Sequence, residues 1–299
     1  MTDYLVRAVA GDGAIRAVAA VTTGMVAEAQ RRHQALPTAA EALGRALTGV
    51  ALLGSSLKYD DTLAIRFDGG GPLGGMLVEA TGRGHLRGYV KYPQVDLEAG
   101  SSGSFGVADA VGRKGFVYVT SDMGLKEPYT GMAPLQSGEI AEDLANYLWT
   151  SEQIPSAVAL GVYIGPGGGV RASGGYMLQT LGGLAEEERG RMEQNLKALG
   201  GVSTRIDAGT TPEELVARAL EGFEYDLLER QPLEFRCRCS RERALYTMSG
   251  IRPEEFDDMI RVDQGAELTC HFCSQRYQFD AGDLIALRHE LETRRREED

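Results

Sequence analysis

Four cysteines are the residues of this chain best suited to chemistry. They stand as Cys237-Arg238-Cys239 and Cys270-His271-Phe272-Cys273, and the first 236 residues contain none. Thirty residues separate Cys239 from Cys270, room for a small helical insert that brings the pairs together. Four thiolates from two close pairs suit tetrahedral Zn²⁺, with Zn–S near about 2.3 Å. The two spacings ask for different backbones. In Cys-x-x-Cys a tight turn brings both sulfurs to one point. In Cys-x-Cys the side chains share a face only where the chain is extended, with its period of two. Leu233 and Phe235 continue that alternation, which puts Cys237 and Cys239 at a strand end. A closed structural zinc ribbon, a structural disulfide pair and plain core cysteines are the alternatives. Cysteine arithmetic favours one zinc per chain in the reduced state.

Other chemistry has less support. His33 and His85 are the only histidines before the cysteines, and neither shows a Ser or Cys partner pattern. His33 follows Arg31-Arg32 and reads as an exposed helix end; His85 lies near a turn. Carboxylates are abundant, but nothing singles out an acid–base pair. No catalytic residue is expected, and the chain is not read as an enzyme. Gly69-Gly70-Gly71-Pro72-Leu73-Gly74 fits G-x-G-x-x-G, yet a strand-like segment rather than a helix follows it, so it reads as a turn. Gly165 to Gly169 reads the same way. His271, inside the second pair, is expected to be exposed or outside the ligand shell, because four sulfurs fill the tetrahedron.

These residues need a scaffold, and 299 residues suffice for two domains, one with a sizeable core. A hydrophobic content of 43% with 25% charged residues is that of a soluble globular protein. The net charge of −12 argues against general attraction to nucleic-acid phosphates or to an anionic membrane. Zinc ribbons often bind nucleic acid, so the tail is counted by itself. Residues 233–299 hold 11 Arg, no Lys and 15 Asp plus Glu, which keeps it acidic. Arg236, Arg238, Arg241 and Arg243 gather around the first cysteine pair, a cluster able to lower thiol pKa values. Arg294 to Arg296 read as a solvated helix end. No secretory signal and no apolar run of membrane length is seen, which leads to a cytoplasmic expectation. Paired cysteines there more often bind metal or sense oxidants than form permanent bridges.

Tyr4 to Ala10 and Ile15 to Val21 read as a hairpin around Gly11-Asp12-Gly13. Helices are predicted over Met25 to Arg32 and Thr38 to Ser56, with Thr38 and Glu41 as a capping box. Leu43, Leu47, Val50 and Leu53 form the core stripe of the second. Strands follow at Thr62 to Phe67, Gly75 to Thr81, Leu86 to Val90, Gly115 to Ser121 and Tyr129 to Leu135. Next come a helix over Glu139 to Trp149 capped by Ser137, and strands at Val158 to Ile164 and Val170 to Met177. Strands and helices without regular βαβ alternation indicate α+β. Beyond Leu181 the texture turns helical and acidic. Ala185 to Leu199 carries Met192, Leu196 and Leu199 on one stripe. Thr211 caps a helix with Pro212 in its first turn and Leu215, Val216, Ala219, Leu220 and Phe223 as apolar members. Packing of both helices on the main core is the reading adopted for the resting chain.

The module Cys-x-Cys, thirty residues, Cys-x-x-Cys resembles the zinc centre of the 33 kDa chaperonin family, the redox-regulated heat-shock holdases. The likeness extends to Leu43-Gly44-Arg45, Gly71-Pro72-Leu73-Gly74-Gly75, Arg87-Gly88-Tyr89-Val90, Gly124 to Tyr129, Ser151 to Pro155 and Cys239 to Arg243. Together these run over most of the chain in the family's order. Ser274 departs from the pattern, which leads one to expect Gly or Asn after the last cysteine. The resemblance implies a cytosolic, ATP-independent chaperone that binds unfolding proteins, inactive when reduced and zinc-bound and switched on by oxidants. It implies Cys237, Cys239, Cys270 and Cys273 as the metal ligands, Cys237–Cys239 and Cys270–Cys273 as the disulfides of the oxidised form, and an oxidised dimer. The expected architecture is a large N-terminal mixed domain with antiparallel-rich sheets (1–180), a helical linker (181–232) and a small C-terminal zinc-binding domain (233–299). A zinc-ribbon nucleic-acid-binding protein is the alternative, weakened by the acidic tail. A thiol oxidoreductase comes third, since the βαβ setting of such enzymes is lacking.

Overall fold

Apolar residues dominate β1 (Tyr4–Ala10) and β2 (Ile15–Val21), the latter buried at every position but Arg16, and Gly11, Asp12 and Gly13, all at positive φ, reverse the chain between them. The computed structural model describes residues 2–97 and 106–298. The chain divides into two compact units, Met1–Arg236 and Cys237–Asp299.

In the first unit the hairpin leads into α1 (Thr23–His33), α2 (Pro37–Leu53), β3 (Thr62–Asp68), β4 (Met76–Thr81) and β5 (His85–Val90). Then follow α3 (Val107–Val111), β6 (Phe116–Asp122), β7 (Tyr129–Pro134), α4 (Ala141–Thr150), β8 (Ser156–Ile164) and β9 (Val170–Thr180). The unit ends with α5 (Glu186–Leu199), α6 (Val202–Asp207), α7 (Pro212–Ala219), β10 (Tyr225–Pro232) and the two-residue β11 (Glu234–Phe235). One sheet has the order β10-β1-β2-β9-β8 and is antiparallel throughout. The other runs β11-β5-β4-β3-β6-β7, antiparallel except where β11 lies parallel to β5. The α+β class and the antiparallel-rich sheets agree with the sequence reading.

Helix α2 packs on β2, β8 and β9 of the first sheet and on β3, β4 and β5 of the second. Leu43, Leu47 and Val50 are buried as the stripe predicts, but Ala39, Gly44, Thr48 and Gly49 are buried too. A helix held between two sheets needs small residues wherever a sheet comes close. At Gly44 a Cβ would stand 2.6 Å from Val26 Cγ1 and 2.7 Å from Val162 Cγ2. Both neighbours are β-branched and stiff at χ1. Gly44→Ala is therefore expected to destabilise this unit by about 1–3 kcal/mol, overpacking outweighing the helix-propensity gain of about 1 kcal/mol. A denaturant titration followed by fluorescence of the single tryptophan, Trp149, measures it.

Two expected caps are corrected. Helix α2 begins one residue earlier, after Leu36, and Thr38 is not its cap. The Thr38 hydroxyl instead donates to Asp96 Oδ1 at 3.0 Å, and Glu41 pairs with Arg45. Helix α4 is capped from within by Asp143 rather than by Ser137. The Asp143 carboxylate, fully buried, accepts from the backbone N–H of Gln136 (2.7 Å), Ser137 (3.1 Å) and Ile140 (3.2 Å). His33 is corrected as well. It is buried at the end of α1, with Nε2 3.0 Å from the Gly88 carbonyl oxygen. Both glycine-rich segments are turns, as expected: Gly69–Gly74 joins β3 to β4 and Gly165–Gly169 joins β8 to β9.

The span 181–232 holds α5, α6 and α7 and then a strand, β10, that no sequence pattern announces. Leu199, Leu215, Val216, Ala219 and Leu220 are buried in one cluster with Val6, Ala8, Ala17 and Ala19 of the hairpin, and Met192, Leu196 and Phe223 pack against it. Thr211 caps α7 as predicted, accepting from Glu214 N–H. Strand β10 pairs along the whole of β1, from Tyr4 opposite Pro232 to Ala10 opposite Tyr225. The Leu233 N–H then donates to the Asp3 carbonyl at 3.0 Å.

The second unit contains α8 (Arg241–Thr247), α9 (Pro253–Asp258), the hairpin β12 (Gly265–Thr269) and β13 (Arg276–Asp280), and α10 (Ala281–Glu298). Its buried apolar core is Met248, Phe256, Phe279, Leu284 and Leu287. The side chains of Arg294 to Arg296, expected as a solvated helix end, lie outside those described. No helix among the described residues is long and apolar enough to cross a membrane.

Candidate metal centre

Burial alternates from Leu233 through Phe235 to Cys237 and Cys239, so the extended geometry expected of Cys-x-Cys holds, although the ladder stops at Phe235. Cys270 and Cys273 lie in the turn between β12 and β13. Cys270 N–H donates to the Gln275 carbonyl at 2.9 Å and Ser274 N–H to the Cys270 carbonyl at 2.8 Å, which closes the knuckle. Ser274 has φ +56°, the left-handed conformation that Gly or Asn adopts with less strain. The departure from the family pattern therefore falls where the turn needs positive φ, and the turn forms all the same.

The insert brings the two pairs together. All four sulfurs lie within 4.8 Å of one another, and no other His, Cys, Asp or Glu joins them among the described residues. Cys237 Sγ is 3.7 Å from Cys270 Sγ, and Cys239 Sγ is 3.4 Å from Cys273 Sγ. Bonded sulfurs would be about 2.05 Å apart. A tetrahedron of Zn–S bonds near 2.3 Å has edges of about 3.8 Å, so the arrangement fits a four-thiolate zinc site. His271 is exposed and outside the cluster.

Nothing in the sequence singles out Tyr277, whose hydroxyl donates to Cys239 Sγ at 3.1 Å. It faces the sulfurs because β13 pairs with β12, setting Tyr277 opposite Leu268. This hydrogen bond, foremost, raises the pKa of the phenol. Burial first, and then the neighbouring sulfurs, push the Cys270 and Cys273 thiols up. These two thiols, without a cation, thus resist ionisation, which a coordinating divalent cation would reverse. Two arginines of the neighbouring cluster are engaged elsewhere. Arg241 stacks on Phe279, 4.6 Å from the ring centroid, and donates to Asp283 at 2.7 Å, while Arg243 donates to the Arg238 carbonyl. Arg241 thus braces α8 against β13 and α10, and the expectation that the cluster lowers thiol pKa values is corrected for Cys270 and Cys273, whose thiols are pushed up.

A family model described as "Hsp33 protein" matches residues 3–280. The chain belongs to the Hsp33 family. The 33 kDa chaperonin of Symbiobacterium thermophilum is 50% identical over 95% of this chain and 97% of its own. That of Desulforamulus reducens is 47% identical over 98% and 99%. The crystal structure of the 33 kDa chaperonin (heat shock protein 33 homolog) of Thermotoga maritima superposes with a TM-score of 0.90 at 31% identity, covering 98% of this chain and 99% of that one. The Hsp33 fold therefore extends over both units, cysteine module included.

Proposed function

We propose that this chaperone of the Hsp33 family is an ATP-independent holdase, silent while its four cysteines hold zinc and active once they are oxidised. The observation that carries the reading is the meeting of four sulfurs in a unit whose core cluster has only five buried apolar side chains among its described residues. Cys237, Cys239, Cys270 and Cys273 are the residues that would hold the metal. When bound, zinc keeps the four thiols as thiolates and supplies folding energy, about 10–16 kcal/mol in small zinc peptides.

The chain's own residues do the rest. Clustered cysteines are both ligands and electron donors. One thiol and hydrogen peroxide give a sulfenic acid and water; a second thiol displaces the hydroxyl as another water and closes the S–S bond. Two such bonds leave no thiolate to hold a cation, and the unit keeps only its small core. The disulfides proposed are Cys237–Cys239 and Cys270–Cys273, carried over from the family resemblance. The two short sulfur contacts run between the pairs, so peptide mapping of the oxidised chain decides the connectivity. Unfolding client proteins are the proposed partners, with a second copy joining in the oxidised state. The proposed setting is the cytoplasm.

The test is aggregation of a heat-unfolding client with reduced or peroxide-treated protein, zinc being measured in parallel. The reduced chain is expected to carry one zinc and to leave aggregation unchanged. The oxidised chain is expected to have lost it and to suppress aggregation near equimolar ratio. Equal protection by both forms, or a reduced chain without zinc, refutes the proposal. Protease sensitivity of residues 181–232 before and after oxidation reports whether the apolar stripes of α5 and α7 become available to clients.

A further inference from the structure

The first unit contains a cleft of 430 Å³ that the cysteine chemistry does not use. It opens where the two sheets part beside α2 and α4. Arg16 and Gln179, register partners on β2 and β9, stand on one side; Leu63 and Ser121, register partners on β3 and β6, stand on the other. Leu53, Leu57, Leu148 and Ile154 add to an apolar wall. This size and lining, mainly apolar with a few convergent polar groups, are those of small-molecule sites, which span about 300–1,000 Å³.

Two polar groups in the wall lack the partners that burial demands. The Ser121 hydroxyl is buried and has no hydrogen-bond partner among the described residues. Arg16 is half-buried, and among the described residues its guanidinium meets only the Ser55 hydroxyl, at 3.2 Å, and no carboxylate. Burial foremost, and then the positive charge of Arg7, lowers its pKa, so the charge here is under-compensated. The acidic groups of the cleft lie elsewhere: Glu152 accepts from the Tyr147 hydroxyl at 2.7 Å, and Glu127 is exposed. A desolvated guanidinium with a free hydroxyl donor on the opposite side of the same cleft calls for a carboxylate. The rest of the wall calls for a hydrocarbon chain. At the rim Met123 and Leu125, on the β6–β7 loop with Gly124 at φ +70°, and Tyr129 at the start of β7 are 58%, 75% and 61% exposed.

We propose that this cleft binds an amphiphilic monocarboxylate, of the class of a medium-chain fatty acid. Its head lies between Arg16 and Ser121, its chain runs along the leucines, and the 123–129 rim covers it. Charge complementarity sets this occupant apart from a stretch of unfolded protein, whose apolar segments carry no carboxylate among them.

The test is equilibrium dialysis of the full-length reduced chain with radiolabelled decanoate below its micelle concentration, with decanol as the uncharged control. Saturable binding of one decanoate is expected, at least about tenfold tighter than decanol, or about 1.4 kcal/mol. Arg16→Gln is expected to erase that preference and Arg16→Lys to keep most of it. Leu57→Trp, which fills the cleft from a half-buried position, is expected to abolish binding of both. Equal binding of acid and alcohol by the parent chain, a preference that survives Arg16→Gln, or binding that survives Leu57→Trp overturns the proposal. Displacement of decanoate by an amidated apolar decapeptide of similar affinity also overturns it, by showing a groove for protein segments.

Discussion

Cys273→Ser is expected to leave residues 237–299 without zinc and unfolded. Cys273 is the most buried of the four cysteines, 3% exposed, and its sulfur lies 3.4 Å from that of Cys239. Serine offers a hydroxyl that stays protonated at neutral pH, so one of four anionic ligands is lost. The unit has little else to stand on. Each of its five buried side chains contributes at most about 1.5–3 kcal/mol, while every ordered residue costs about 1–2 kcal/mol of backbone entropy. Units of this size ordinarily need a metal or disulfides. Zinc content should fall to near zero, and trypsin cleavage after Arg241, Arg243 and Arg261 should accelerate at least about tenfold as the open form becomes the majority. The Trp149 unfolding transition should stay where it was, because that residue reports on the first unit. A variant that keeps its zinc and its digestion pattern would show that the core alone holds the unit.

The largest single-residue loss expected in the first unit comes from Asp143→Ala, about 3–5 kcal/mol. The Asp143 carboxylate accepts three backbone N–H groups, from Gln136, Ser137 and Ile140. Orphaning a buried donor costs about 1–3 kcal/mol, and bonds to a charged acceptor stand at the upper end. The same carboxylate holds Ile140 at φ +67°, a conformation that a β-branched residue adopts only under constraint. Without it the Ile140 backbone relaxes and the first turn of α4 frays. Trp149 lies at the far end of that helix, so its fluorescence follows the loss in a denaturant titration. Against a usual domain margin of about 5–15 kcal/mol, the expected shift in midpoint is large. A shift below about 1 kcal/mol would mean that water replaces the carboxylate at no cost.

What could be read from the sequence follows the physics of each element. The β1–β2 hairpin was legible to the residue because two short apolar, β-branched-rich runs flank a turn rich in glycine. The cysteine module was legible because metal ligation leaves its mark in spacing. Strand β10 was not, since it lies at a sheet edge with Leu227 and Leu228, adjacent residues, both exposed. An edge strand open on both faces carries no alternation. The capping role of Asp143 was hidden because its three donors precede it, whereas cap patterns look for an acceptor ahead of the helix. His33 looked exposed beside two arginines, but its partner carbonyl belongs to a strand 55 residues away. Tyr277 and the Arg16 cleft depend on which strands lie side by side, and only the assembled sheets reveal that. The boundaries drawn at 180 and 232 followed changes of composition. The contacts instead part at Arg236 and Cys237.

The pairing of β10 with β1 bears on how the protein is made. The N-terminal hairpin leaves the ribosome first, yet the strand that covers its outer edge is among the last parts of the unit to be translated. Until about residue 232 has emerged, β1 offers a bare edge and the alanine-rich face of the hairpin lacks α7, a hazard for a nascent chain. Folding of the first unit is therefore completed late in synthesis, once β10 has emerged, and a ribosome stalled before β10 should display a hairpin that stray strands can capture.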